Sequence, residues 1–181
     1  RQMDGFNIRN PGNTLNTGPL YRIPWGQLFC RTVSNPAIGA TRAALRLFIH
    51  GCQNRSSNDP TKLAGDTHTQ GIIARAELAL AELDAVFERS MAQMVGCVGS
   101  GMEIPLADRV RYRYEASQII EKSVAVVGEL FANAGGRSVF LGSPIQQRFL
   151  DVNTARGPSP TSASASSACV ESAPCMPPQS S

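Results

Sequence analysis

The chain has 181 residues, 42% of them hydrophobic, which is enough for one domain with a core of moderate size. Its formal net charge is only +3, lysine occurs only at Lys62 and Lys122, and no basic block interleaves with aromatics, so the charge pattern of a nucleic-acid binder is excluded. The five cysteines (Cys30, Cys52, Cys97, Cys169 and Cys175) form no CxxC pair and are not completed into a metal set by His50 or His68. They read as reduced thiols of a cytoplasmic protein without a structural metal.

Residues 1–24 are rich in Asn, Gly, Thr and Pro and lack a sustained apolar period, so they read as an extended loop. From Trp25 to Asn54 helical spacing takes over, with Leu28, Phe29, Val33, Ile38, Ala44, Leu45, Phe48 and Ile49 on the apolar side. Asn35-Pro36 is expected to kink this helix or restart it. Its longest apolar run, Ala43 to Ile49, is too short to span a membrane and carries Arg46. Small residues at Gly39, Ala40, Ala43 and Ala44 suit close approach by a helix or a ligand.

After a polar break at residues 55–60, Ile73, Ala76, Leu80, Leu83, Phe87, Met91 and Met94 step by three or four, the mark of one long amphipathic helix. Its acids Glu77, Glu82, Asp84 and Glu88 read as the solvated side, and Gly96 to Gly101 ends it. A third helix opens near Pro105, with Val110, Tyr114, Ser117, Ile120, Val124, Val127 and Phe131 as its apolar face. Arg109, Arg111, Arg113, Glu115, Glu121 and Lys122 make up its solvated side. Gly135-Gly136 closes it with a turn, and Ser143-Pro144 opens a fourth helix that runs to about Arg156, since a serine caps free amides and proline loses no needed donor at the first helical position. Within that helix Arg148 and Asp151 are placed to form a surface ion pair. Residues 157–181 turn abruptly to Ser, Ala and Pro and are expected to be disordered. The expectation is an all-α, antiparallel four-helix bundle over residues 25–156.

Three segments, in this order, carry a resemblance: Gly18-Pro-Leu-Tyr-Arg-Ile-Pro-Trp-Gly26 feeding the small-residue helix Pro36 to Ala44; the long helix followed by Gly101-Met-Glu-Ile-Pro105; and the diglycine turn with Pro144-Ile-Gln-Gln-Arg-Phe-Leu-Asp-Val152. Together they resemble the C-terminal helical domain of the acyl-CoA dehydrogenase superfamily, nearest to its two-component flavin-dependent aromatic hydroxylases, over about Gly18 to Arg156. The resemblance implies a longer protein in which an N-terminal helical domain and a β-barrel precede this bundle. It also implies a flavin between barrel and bundle, and tetramers built largely through the bundle helices. In the hydroxylase branch, reduced FMN or FAD arrives from a separate reductase, and oxygen then hydroxylates a small phenolic or polyketide-type aromatic. In the dehydrogenase branch the flavin takes a hydride from an acyl thioester. A bundle that only oligomerises is the non-catalytic rival.

On that resemblance, Gly135 and Gly136 match the glycine turn near the flavin tail, and Arg137 and Ser138 directly after it are placed to grip an anion. From the residues alone, the same glycines are a plain helix C-cap. Arg55 stands where relatives place an arginine reaching a neighbouring subunit's flavin, although Ser56-Ser57-Asn58 replace the usual following residues and a helix-end arginine has its own stabilising role. Trp25 walls an aromatic substrate pocket or anchors the entry loop on the bundle. Pro158 stands where the hydroxylase branch often has a histidine, so no catalytic residue is assigned.

Overall fold

The computed structural model describes residues 15–53 and 66–156. Within them lie four α-helices and no strand: α1 (Trp25–Gln53), α2 (Thr67–Gly99), α3 (Leu106–Asn133) and α4 (Pro144–Arg156). Short 3-10 turns at Pro19–Arg22 and Gly136–Val139 precede α1 and α4. The expected all-α bundle is the observed fold, and the fourth helix has the bounds its serine-proline start and basic end imply. The expected tail at 157–181, like Arg55, lies outside the described residues.

Side-chain bonds between helices fix the directions. Gln27 Nε2 donates to the Arg109 carbonyl (3.0 Å) and Arg31 Nη2 to the Tyr112 carbonyl (3.1 Å), so residue numbers rise together and α1 runs parallel to α3. Arg89 meets Glu115, Lys122 meets Glu82 and Arg75 meets Glu129, so α2 is antiparallel to α3. Phe131 stacks on Phe149, with ring centroids 4.6 Å apart, and Arg156 bonds Glu121, which makes α4 antiparallel as well. Consecutive helices therefore alternate in direction. The parallel pair α1 and α3 forms the centre, with α2 on one side and α4 on the other, each touching both.

Local chemistry sets the ends. Asp66 caps α2 by accepting the amides of His68 and Thr69 and the Thr69 hydroxyl. Gly101, at φ +80°, turns the chain out of α2, and Gly135, at φ +85°, does the same after α3; both are left-handed values that favour glycine. Helix α1 is unbroken through Pro36, so the expected restart does not occur. Pro36 and Thr32, whose carbonyl loses its i+4 donor, both lie on the exposed side, where water replaces the missing bond, while Ala37 and Ala40 stay packed.

The core divides in two. The larger part holds Ile38, Ala44, Phe48, Ile72, Leu80, Leu83, Ile119, Val127, Leu130 and Val152 from all four helices. The smaller part, at the end where α1 begins, holds Ile23, Met94, Val98, Ile104 and Tyr112. Along α2 the deeply buried isoleucine is Ile72; Ile73, assigned to the core by its spacing, is only partly covered.

The apolar face expected of α3 requires a correction. The buried residues are Tyr112, Ala116, Ile119, Ser123, Val127 and Leu130, whereas Val110 and Tyr114 are exposed. Part of the expected stripe is the side of α3 turned toward α4, but Tyr114 borders a cleft shared with Glu82, Val86 and Arg89 of α2. Val110 and Ser117 stand two and one heptads before Val124, so all three share one face. Helix α4 covers the upper half of that face and stops at Arg156, level with Glu121. Below that level the stripe has no helix over it among the described residues.

Candidate functional site

Two places carry the site residues read from the sequence. The first is the start of α1. Trp25 is the first residue of the helix, 45% exposed, and stacks on Phe29, itself 51% exposed, with ring centroids 4.9 Å apart and planes 22° apart. Both rings are about half exposed. Phe29 stands one heptad before Pro36, and Val33 one heptad before Ala40. Pro36 and Ala40 line a cleft of about 360 Å³ against Arg148, Asp151 and Ala155 of α4. Phe29 and Val33 therefore continue the α4-facing side of α1 past the end of α4. Leu106, 66% exposed, and Val110 of α3 are apolar and open to solvent as well. The start of α1 thus presents an exposed aromatic stack that includes the only tryptophan of the chain.

On the opposite side of α1, against α3, lies a polar layer that the sequence did not signal. Gln27 and Arg31 are buried on the inner side of α1, Arg31 only 4% exposed. Both donate to main-chain carbonyls of α3, as described above. Arg31 Nη2 also lies 4.0 Å from Glu115, whose side chain is nearly enclosed and whose other oxygen accepts from Arg89 of α2 at 3.0 Å. The Arg31 guanidinium sits 5.8 Å from the Phe87 ring centroid. Burial pulls the pKa of Arg31 below its ordinary value, with Glu115 opposing. Burial, and next the charge of Asp108, pushes the Tyr112 phenol up. Glu115, placed on the solvated side by periodicity, is thus an interior ion-pair partner of two helices. Its position on the flank of α3 facing α2 decides this, because both partner arginines reach it there.

The second place is the corner between α3 and α4. Gly135 uses its positive φ, while Gly136 opens the 3-10 turn, and a side chain added at Gly136 would meet open space. Ser138 is buried, and its hydroxyl donates to the Gly135 carbonyl at 2.6 Å, so it braces the turn and is not turned toward an outside anion. Arg137 is exposed and has no side-chain partner among the described residues. The corner therefore offers a bare glycine face and one free guanidinium, a fit for phosphate. It is far from the aromatic stack: about 36 Å of helical rise separate Arg109, beside Gln27, from Asn133 at the corner. The Arg148–Asp151 pair forms as expected, at 2.9 Å, on the rim of the α1–α4 cleft. Cys30, Cys52 and Cys97 form no disulfide among the described residues. Among the described residues, no cluster of His, Cys, Asp and Glu is suited to a metal, and no helix is long and apolar enough to cross a membrane.

Fold and site together define an up-down four-helix bundle domain with an open aromatic face at one end and a glycine corner at the other. The profile of the family described as "Acyl-CoA dehydrogenase, C-terminal domain" matches residues 31–157, and the chain belongs to that family. It is similar to the oxygenase subunit HsaA of a flavin-dependent monooxygenase from Rhodococcus jostii (strain RHA1), 24% identical over 155 residues, which are 83% of this chain and 40% of that protein. It is also similar to HsaA of Mycobacterium tuberculosis (strain ATCC 25618 / H37Rv), 25% identical over 152 residues, 80% of this chain and 37% of that one. The crystal structure of the 3-HSA hydroxylase from Rhodococcus sp. RHA1 superposes with a TM-score of 0.77 at 22% identity, covering 92% of this chain and 44% of that chain, which establishes the shared fold. The chain spans about two fifths of the length of the curated relatives it matches.

Proposed function

We propose that this chain is the flavin-contacting and oligomerising bundle of a flavin-dependent monooxygenase that hydroxylates a small phenolic or polyketide-type aromatic. The observation that carries this reading is the exposed Trp25–Phe29 stack, on a chain of this family whose relatives are named as flavin-dependent monooxygenases. An exposed aromatic pair suits a planar ring better than the flexible chain of a thioester, which favours hydroxylation over acyl-CoA dehydrogenation. Bound flavin, FMN or FAD delivered in reduced form by a separate reductase, would supply the oxygen chemistry. The chain's own residues place the ring: Trp25 and Phe29 offer the aromatic surface, and the Arg137–Gly136 corner faces phosphate. One copy cannot offer both places to a single flavin, because they lie at opposite ends of the bundle. In this reading they serve different flavins in a homo-oligomer, a tetramer as in the resemblance, in the cytoplasm. Arg55, outside the described residues, keeps its proposed role toward a neighbour's flavin.

The test is an anaerobic titration of the chain with reduced FMN and reduced FAD, followed by Trp25 emission and by mass in solution. The expected result is an oligomer whose Trp25 emission is quenched saturably, with a phenol competing or adding to the effect. A monomer whose emission ignores both flavins and phenols would overturn the proposal and leave the bundle as a non-catalytic module. Quenching relieved by an acyl-CoA but not by a phenol would favour the thioester reading.

A further inference from the structure

Helix α2 carries apolar residues on two sides. One is the core stripe through Ile72, Ala76, Leu80, Leu83 and Met94. The other runs through Ala74, Leu78, Ala81, Ala85, Ala92 and Val95, all exposed, with Leu78 63% and Val95 38% open to solvent. At the helical period the two stripes lie nearly opposite each other, so the second faces away from α1 and α3. The ion pairs of α2 mark its two edges: Asp84 meets Arg42 of α1 on one, while Glu82 and Arg89 meet Lys122 and Glu115 of α3 on the other. Alanine alone would say little here, since it is a good helix former on any surface. The spacing says more. Members follow one another by four and three in alternation over about 30 Å of helical rise, with Glu88 the only polar member, which is the period of a coiled-coil seam. The exposed side of α3, by contrast, is set with Arg111, Arg113, Glu121 and Lys122.

The charges along the seam decide what fits it. In an antiparallel pairing of two α2 helices, one register sets Leu78 against the partner's Val95 and Ala81 against the partner's Ala92. The same register brings Glu82 of each copy within about 3 Å of helical rise of the partner's Arg89. Sliding by one heptad puts Glu82 beside the partner's Glu82 in one direction and Arg89 beside the partner's Arg89 in the other. A parallel pairing stacks Glu88 on the partner's Glu88. Like charges disfavour all three alternatives. The side chains of Glu82 and Arg89 are about half exposed in their own pairs, so each can take a second partner.

We propose that the outer face of α2 is a contact between two copies of this chain, an antiparallel twofold pairing in which small side chains let the backbones come close and Glu82–Arg89 pairs fix the register. The face is self-complementary, which is what a twofold contact requires of a single surface. Glu88 lies beside the twofold axis, where two carboxylates weaken the pairing; a single polar seam residue trades stability for one arrangement in this way. The proposal deepens the homo-oligomer of the proposed function and rests on that part alone, since neither flavin nor phenol enters it.

The experiment is sedimentation equilibrium of the full chain over a range of concentrations. The expected result is an even-numbered oligomer whose mass is halved by Ala85→Glu, which adds two carboxylates near the axis without touching the core. Glu88→Ala, which removes two, is expected to lower the dissociation constant of the pair by about threefold. Charge exchange then separates pairing from folding. Glu82→Lys and Arg89→Glu, each alone, set like charges together and should raise the dissociation constant by about tenfold. Mixed one to one, the two variants should re-form a pair of near wild-type affinity, because each new charge then meets its opposite, and a damaged fold cannot be rescued by mixing. If Arg89→Glu does not fold for want of its bond to Glu115, Ala85→Glu and Glu88→Ala decide the matter alone. A wild-type chain that stays monomeric would overturn the proposal and leave the seam to another protein. So would a mass unchanged in Ala85→Glu, or a mixture that does not re-form the pair. An oligomer that behaves as expected yet binds no flavin would count against the monooxygenase reading and leave this contact standing, whereas a monomer that binds flavin would do the reverse.

Discussion

The two ends of the bundle are held by different physics. Around Phe48, Ile72, Leu83, Val127 and Leu130, side chains from α1, α2 and α3 with Val152 of α4 close over one another, and close packing does the stabilising. At the end where α1 begins, no part of α4 is found among the described residues, the apolar cluster is small, and Gln27, Arg31, Glu115 and Arg89 bridge three helices with directed bonds. The polar end leaves the Trp25–Phe29 stack half exposed and joins its helices through buried polar groups, which are costly to separate because each would be left unpaired.

The comparison can be sharpened by substitutions at each end. Phe48→Ala, at the packed end, is expected to lower the unfolding free energy by about 3–5 kcal/mol in chemical denaturation, since the side chain is almost fully enclosed and the cavity collapses only in part. A loss below about 1 kcal/mol would mean that the two ends do not differ as described. Glu115→Ala, at the polar end, leaves Arg31 buried with only its carbonyl bond and should cost about 2–3 kcal/mol by the same measurement. Its effect should be relieved when Arg31→Met is added, a double-mutant coupling that no change in the larger core would show. Ser123→Ala probes a polar intruder in the packed region: its hydroxyl is enclosed and has no hydrogen-bond partner among the described residues, so removing it should stabilise by about 0.5–1 kcal/mol. Destabilisation there would show that the hydroxyl is held after all.

The smallest effect is expected at the α2 cap and appears only in acid. The Thr69 hydroxyl, and then the His68 and Thr69 amides, hold the Asp66 carboxyl below its ordinary value, against a smaller opposing effect of desolvation. A depressed carboxyl contributes stability that is present above its unfolded pKa and lost as pH falls through the folded one. The gap in thermal midpoint between wild type and Asp66→Asn should therefore be constant at neutral pH and close below about pH 4. A gap that does not narrow in acid would mean that the charged form is not what caps α2.

Much of this was legible in the residues. The helix α4 could be drawn from Ser143-Pro144 at one end and Arg156 at the other, because capping chemistry is local. Periodicity placed Ala76, Leu80, Leu83 and Met94 inside. It failed at Glu115 and passed over Gln27 and Arg31, because a pattern count sends every charged residue to water and cannot see that an arginine two helices away will meet it. It also counted Val110 and Tyr114 as covered, whereas both are exposed; whether a neighbouring helix lies over a given residue of α3 depends on how the helices pack, and no property of residues 106–133 carries that relation.

The amino-acid sequence by itself determined the number and class of helices, the serine-proline start of α4, the glycine corner at Gly135 and the family to which the chain belongs, since each follows from short-range periodicity and motif order. The tertiary structure alone decided that Trp25 and Gly135 stand at opposite ends, that Asp66 caps α2, that Ser138 turns inward, and that Gln27, Arg31 and Glu115 form a buried polar layer between helices. Those are relations between helices, set by register and relative length, and side chains far apart in the chain reveal them only once packing has brought their carbonyls, charges and rings within reach.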